Sequence, residues 1–450
     1  MNIKQANNIF LLGIGGIGIS GVARLLHAMG KNVSGADLKE SDITLALQKQ
    51  GITVKIGSNQ IFGQPDLVIY SPALPSGDLE QIQVPKLSHG QALGELMDGK
   101  YGIGVTGTNG KSTITAMLGL IMEKADLDPS VLIGSLLSPK NESDKFKANA
   151  RFGGGKYFVA ESDEYQRKML LNRPKMIVIT NIAEDHMDVY KDLHDIKNAF
   201  AEYVKSLQAD GILIFNADDH NTVEVGKHAS SHKFTFGIHH YADLQAVNVS
   251  NSSFDLHLND EMIGKIKLQV PGLFNVANAL GAALTAIKLG VKFGIIKEAL
   301  ESFAGTWRRF EIVGTLNNKP VISDYAHHPA GITGTLEAAK QFYPGKKILT
   351  VFQPHHRNRT KALFGEFVES LVTADEIIVP EIFDVAGREH GEDISSQMLV
   401  DDLNQKGAKA TFAQDLDQAE KLIREKINYF DVVLLMGAGD IDLLARKLIL

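Results

Sequence analysis

The sequence predicts an α/β fold in three domains, and three observations carry that expectation. A strand–glycine turn–helix unit opens the chain, a second one built on Gly-Lys-Ser lies near residue 110, and strands alternate with helices through the last third. Alternation of that kind builds parallel sheets covered by helices. A chain of 450 residues, 44% hydrophobic and 22% charged, is long and apolar enough for about three packed cores.

The opening unit comes first. Asn8–Leu12 reads as a strand and runs into Gly13-Ile14-Gly15-Gly16-Ile17-Gly18; a helix follows to about Met29, and Asn32–Ala36 is a second strand ending at Asp37. This is a G-x-G-x-x-G turn with an acidic residue 19 positions after Gly18, a pattern that seats a pyrophosphate on a helix N-terminus. Alone it suggests NAD, but a UDP-sugar carries the same diphosphate, and close helix–strand packing without a ligand uses the same glycines. Asp66–Tyr70 is a further strand, and Ser71 opens the loop at its end, where such sheets bind ligands.

The unit near residue 110 has more chemistry. Ile103 and Val105 lead into Gly107-Thr108-Asn109-Gly110-Lys111-Ser112-Thr113, after which Ile114, Met117, Leu118, Ile121 and Met122 repeat at helical spacing on one face. Glycines let backbone N–H groups crowd round an anion, Lys111 reaches the β/γ-phosphates, and the Ser112 hydroxyl is placed for Mg²⁺. Val105 stands at the first glycine position of the usual phosphate-loop pattern. Next, Pro139–Lys156 is charged and ends in three glycines, so a mobile surface loop is expected. Tyr157–Ala160 is a strand ending in Glu161-Ser162-Asp163-Glu164, a position suited to a carboxylate that ligates the nucleotide's metal. Met176–Thr180 leads to Asn181–Asp188, where His186 is either a metal ligand or a surface histidine, and Asp185 either a ligand or its orienter. Alternation in 254–258 and 266–270, parted by Asn259-Asp260, predicts a small antiparallel sheet. Asn275 and Asn278 then sit one turn apart at a helix start, to read an adenine edge or simply to cap.

In the last third, strands at 348–352, 376–379 and 432–435 alternate with helices at about 332–342, 360–373 and 415–428. Polar clusters follow the strands: Asp324 to His328, Gln353 to Thr360, and Gly437 to Asp440. Three such clusters on one sheet edge predict a ligand site.

Composition narrows the function. A net charge of −7 gives no basic surface for nucleic acid or acidic membrane. The absence of cysteine excludes disulfides and thiolate chemistry and fits a reducing cytoplasm. The apolar run 9–23 continues into a helix and lacks a cleavage site, so neither targeting nor membrane insertion is expected.

The order of motifs resembles the Mur ligases of peptidoglycan synthesis along essentially the whole chain: LLGIGGIGISGVARLL, YSPAL, GVTGTNGKST, TNIAEDHMDVY, VPGLFNVANALGAA, RRFEIVG, SDYAHHP, VFQPHHRNRTKALF and MGAGDI. The resemblance implies a UDP-sugar-binding Rossmann-like domain (1–98), a central P-loop ATPase domain (99–306), and a C-terminal Rossmann-like domain (307–450) that closes on ATP and an amino acid. It implies an ATP-dependent amide ligase joining L-alanine to UDP-N-acetylmuramate through an acyl phosphate, as a monomer or homodimer with ATP and Mg²⁺. A recycling ligase for a tripeptide on the same sugar is the near alternative, and an NAD-dependent dehydrogenase the alternative from another class. By position, Gly13, Gly15, Gly16, Gly18, Asp37 and Ser71 would bind the UDP substrate. The 107–113 loop, Asn275, Asn278, Arg309 and Asp324 would bind ATP; Ser112, Glu161 and His186 would hold Mg²⁺. Lys111, Glu161, His186, His355 and Arg359 would be catalytic. Departures from the family pattern are Phe274 for a His, Ser323 for an Asp, His89 near an expected Arg, and His356 where an Arg is usual beside the amino acid.

Overall fold

The computed structural model describes every residue except 1, 75, 81, 144, 187, 188 and 385–392, together with the side chains of 76 and 78. Among the described residues, three sheets carry the fold. The first is wholly parallel, with strands Thr53–Ile56, Asn32–Asp37, Asn8–Leu12, Leu67–Tyr70 and Lys86–Ser88 side by side in that order. The two flanking strands 53–56 and 86–88 are short and half exposed, which is why no apolar run announced them.

The second sheet has eleven strands. Its parallel heart places Tyr101–Thr106 between Tyr157–Glu161 and Met176–Ile179, so the loops after these three strands emerge at one edge. The helix Lys111–Lys124 that follows the first of them is buried around most of its circumference rather than on one face. The helix Phe293–Ser302 packs against it, and little of it is left for solvent.

Two stretches differ from expectation. The predicted surface loop at 139–156 is a packed hairpin: Phe146–Lys147 and Ala150–Arg151 pair antiparallel and join Ser130–Leu132. Phe146 and Arg151 are buried there, Arg151 between Asp128 at 2.7 Å and Glu123 at 3.2 Å. The antiparallel strands 244–250, 253–258 and 261–267 are not separate; they extend the central sheet past His232–Gly237. Asn259 and Asp260, both with positive φ, make the predicted turn.

The third sheet runs 311–316, 319–324, 432–436, 348–352, 376–380 and 410–413, antiparallel only at the first pair. The long helix expected over 360–373 is two, Arg357–Ala362 and Phe364–Leu371, meeting at Leu363. The chain packs as two compact units: residues 1–269 with 275–304, and 305–450 with 270–274. No helix among the described residues is long and apolar enough to cross a membrane.

Candidate active site

Within the first unit, the opening glycines are lined by the residues the sequence singled out. The Gly15 amide donates to Asp37 at 2.8 Å. A β-carbon on Gly13 would lie 2.9 Å from Ser71, and one on Gly18 would lie 2.8 Å from His89 Nε2. Sequence reasoning noted His89 only as a departure, yet it closes this loop. Its Nε2 is sealed from water beside the Gly18 backbone, and loss of hydration, with Lys168 nearby, lowers its pKa to about 4, Asp163 and Gly18 opposing.

The 107–113 loop is braced on the strand end beside it. Thr108 N donates to Asn181 O at 2.9 Å, Asn109 N to Asn181 Oδ1 at 3.1 Å, and Thr180 Oγ1 to Asn109 O at 2.5 Å. Gly107 and Gly110 have φ of 127° and 88°, values that other residues reach only with strain. A β-carbon at Gly110 would also strike Asn278 Oδ1 at 2.4 Å. The helix Leu273–Lys288 therefore starts directly against the loop, and Asn278 in turn contacts Asn275 at 3.4 Å. Ser112 and Thr113 are buried at the first turn after it.

Lys111 Nζ donates to Gly107 O at 2.5 Å, Thr108 O at 3.2 Å and Glu164 Oε1 at 2.9 Å. Burial disfavours its charge, but the carboxylates of Glu164, Asp163 and Glu161 outweigh that and hold its pKa above the ordinary lysine value. His186 Nε2 lies 3.5 Å from the same Glu164 oxygen, and its ring packs on Tyr165 at 4.9 Å. Burial works against a proton on His186, yet Glu164 and Asp185 raise its pKa. Met187 and Asp188, in the same motif, lie outside the described residues.

Asp163, Glu164 and His186 bring ligand atoms within 4.8 Å of one another. Glu164 Oε2 is buried without a donor, and hard carboxylate oxygens are what Mg²⁺ prefers. The donor set fits a divalent ion. Glu161, the predicted ligand, accepts the Gly134 amide and contributes to the field at Lys111. In the sequence Asp163 and Glu164 are part of an acidic run; only the fold shows that the turn brings Glu164 onto Lys111.

In the second unit the three polar clusters do meet at one sheet edge, because Asp324 and Phe352 both register with Met436. Asp324 is buried and accepts Phe310 N and Ala326 N, each at 2.7 Å, and Thr335 Oγ1 at 3.2 Å. Burial raises its pKa, Arg309 and these donors opposing. Arg309 lies over the Tyr325 ring at 5.2 Å. Its neighbour Arg308, which sequence reasoning passed over, is the buried one, bonded to Gly437 O at 2.5 Å and Gly439 O at 3.0 Å. His355 stacks on Phe383 at 5.5 Å and abuts His356 at 4.1 Å. Burial, then the neighbouring His356, His327 and arginines, push its pKa down to about 3. Arg359 sits one turn into the short helix that begins after His356, a residue with φ of 67°. Arg357 is committed elsewhere, to Asp384 at 3.0 Å and Ile394 O at 2.7 Å.

Comparison with known proteins places this geometry. Residues 8–101 match the Mur ligase family, catalytic domain; 105–286 the Mur ligase middle domain; and 308–439 the Mur ligase, glutamate ligase domain. UDP-N-acetylmuramate–L-alanine ligases of Clostridium novyi and Alkaliphilus metalliredigens are each 37% identical, over 98% of this chain and 97% of the relative, and 100% and 98%, respectively. Among solved structures, a UDP-N-acetylmuramate-alanine ligase from Thermotoga maritima aligns with a TM-score of 0.83 at 30% identity, covering 98% of both chains. A murein peptide ligase from Psychrobacter arcticus aligns at 0.72 and 25%, covering 98% of this chain and 97% of that one. With three family domains in order and relatives at this identity along nearly its full length, the chain belongs to the Mur ligase family.

Proposed function

We propose that this protein is an ATP-dependent ligase that joins L-alanine to UDP-N-acetylmuramate in the cytoplasmic stage of peptidoglycan precursor synthesis. The observation that carries the reading is the Lys111 loop, braced by Asn181 and Asn278 and facing a carboxylate–histidine cluster. It lies in one compact unit with the glycine turn that suits a diphosphate. A dehydrogenase would leave the Lys111 loop idle.

A carboxylate is a poor electrophile, so an amide forms only after activation. The γ-phosphoryl group of ATP passes to the lactyl carboxylate of the sugar, giving an acyl phosphate and ADP. The amine of L-alanine then attacks the acyl carbon, and phosphate leaves. Lys111 and the backbone amides of the loop stabilise the transferring phosphoryl group, the main help such transfers need. Ser112, Glu161 and His186, with Asp163 and Glu164 beside them, would hold Mg²⁺, which neutralises phosphate charge when bound. Gly13, Gly15, Gly16, Gly18, Asp37 and Ser71 hold the UDP diphosphate. Asn275, Asn278, Arg309 and Asp324 attend the nucleotide, and His355 and Arg359 the amino acid. With a pKa near 3, His355 serves better as a neutral hydrogen-bonding group than as the amine's base. The domain bounds proposed are 1–98, 99–306 and 307–450, acting as a monomer or homodimer.

The test is phosphate release from ATP with UDP-N-acetylmuramate and, separately, L-alanine, glycine, L-serine or a tripeptide. L-Alanine should stimulate release most, and Lys111→Ala should abolish it while UDP-sugar binding persists. Stimulation by tripeptide alone would reassign the protein to the recycling reaction. Turnover surviving in Lys111→Ala would remove the loop from the mechanism.

A further inference from the structure

We propose that Glu164 is a positioning residue that latches Lys111, and that nucleotide binding is an exchange of anions in which phosphate displaces this carboxylate. The inference rests on the nucleotide reading of the 107–113 loop and adds a residue to it.

An ammonium has three protons. At Lys111 all three are spent, on Gly107 O, Thr108 O and Glu164 Oε1. Two of those partners belong to the loop itself, so the lysine is folded back on the cradle it serves. To touch a phosphate it must give up at least one contact, and the carboxylate is the contact whose charge opposes the incoming anion.

Glu164 cannot simply swing into water. Its side chain is 4% exposed. Its backbone is pinned, with its carbonyl accepting Tyr190 Oη at 2.5 Å and Arg167 N at 2.8 Å. The neighbouring carboxylate, Asp163, adds to the field at Lys111 but is itself paired with Lys168, at 3.1 Å, so the hydrogen bond to the lysine comes from Glu164. Once released by Lys111, Glu164 still faces His186 Nε2, 3.5 Å from Oε1, while its other oxygen remains open for a cation. The carboxylate thus has a second role waiting when the lysine leaves. Paired with Lys111 it fixes the lysine in a single place, and the binding-competent arrangement becomes a minor one, which weakens apparent affinity.

Glu164→Gln keeps the volume and one acceptor but removes the charge. Titration of the full-length chain with ADP and with a non-hydrolysable ATP analogue, in chelator so that no metal intervenes, reads the latch directly. Glu164→Gln should bind either nucleotide about tenfold more tightly than the parent. Its ligand-free melting temperature should fall, since Lys111 loses its counter-ion, and the rise on adding nucleotide should be larger than the parent's. Glu164→Asp, with the carboxylate drawn back by one methylene, should fall between and serves if the glutamine variant does not fold. A merely structural glutamate would weaken binding when replaced, so equal or weaker affinity in both variants, with the parent binding normally, overturns the latch. A parent chain that binds no nucleotide overturns instead the reading on which it rests.

Discussion

At the scale of single residues, two histidines do opposite work. His186 has its pKa raised by the carboxylates around it, whereas His89 is kept neutral, with its pKa lowered to about 4 by loss of hydration and Lys168. A histidine that titrates near 6.5 when unfolded but near 4 when folded binds more protons unfolded throughout that window. Stability therefore drops as pH falls from 6.5 to 4, by roughly 3 kcal/mol at about 1.36 kcal/mol per pH unit. Urea unfolding at pH 7 and pH 4.5 should show this slope, and His89→Gln should flatten it; an unchanged slope would mean the imidazole is not held neutral. For His186, replacement by Ala should raise the Mg²⁺ concentration needed for alanine-dependent phosphate release by about tenfold or more. An unmoved metal requirement would leave it only its packing on Tyr165. The glycines, Lys111 and Ser112 were legible in the sequence because their chemistry is local, set by residues three or four apart. The pairing of Lys111 with Glu164 was not, since it depends on how the turn after one strand meets the loop after another.

At the scale of elements, strands with uninterrupted apolar runs announced themselves: 8–12 and 348–352 have the bounds the sequence suggested. The elements that escaped are short, half exposed, or stabilised by charges far apart in sequence. The hairpin at 146–151 is the clearest case. Charge and glycine content argued for a loop, but Arg151 is 3% exposed and finds Asp128 and Glu123 only in the folded chain. It also bonds to Pro129 O and so ties the hairpin to the strand Ser130–Leu132 beside it. Arg151→Ala takes the guanidinium from two acids and a carbonyl at once, although Asp128 keeps the Gly154 amide at 2.7 Å and Glu123 the Ser143 hydroxyl at 2.8 Å. The expected loss is about 3 kcal/mol, the low end for a broken buried pair because both acids keep some water contact. Calorimetry of the variant would check it; a loss under about 1 kcal/mol would return the segment to the status of a surface loop.

At the scale of the whole molecule, sequence motifs divide the chain into three while packing divides it into two, and cores explain the difference. The first sheet shares its core with Leu132, Ala150, Phe158 and Ala160 from the central one. A buried tie runs alongside: Arg24 Nη1 donates to Asn149 Oδ1 at 2.7 Å, and Asn149 Nδ2 reaches Ile17 O at 2.6 Å. Burial draws the Arg24 guanidinium down to about 10, a measure of how fully it is removed from water, with Glu142 opposing. A fragment ending at residue 98 would expose that shared apolar face and leave Arg24 without its amide. By contrast, both core clusters of the third sheet are drawn wholly from residues 310–449. A fragment of residues 305–450 should therefore fold alone and unfold cooperatively. Losing as much as 1 kcal/mol at the cut would move its midpoint by only about 4 °C from its transition in the full chain. Residues 1–304 should melt in one transition, whereas 1–98 should bind a hydrophobic dye and show no cooperative melt. Independent folding of 1–98 would mean that the shared core contributes little and that the three-part division by motif is also the division by energy.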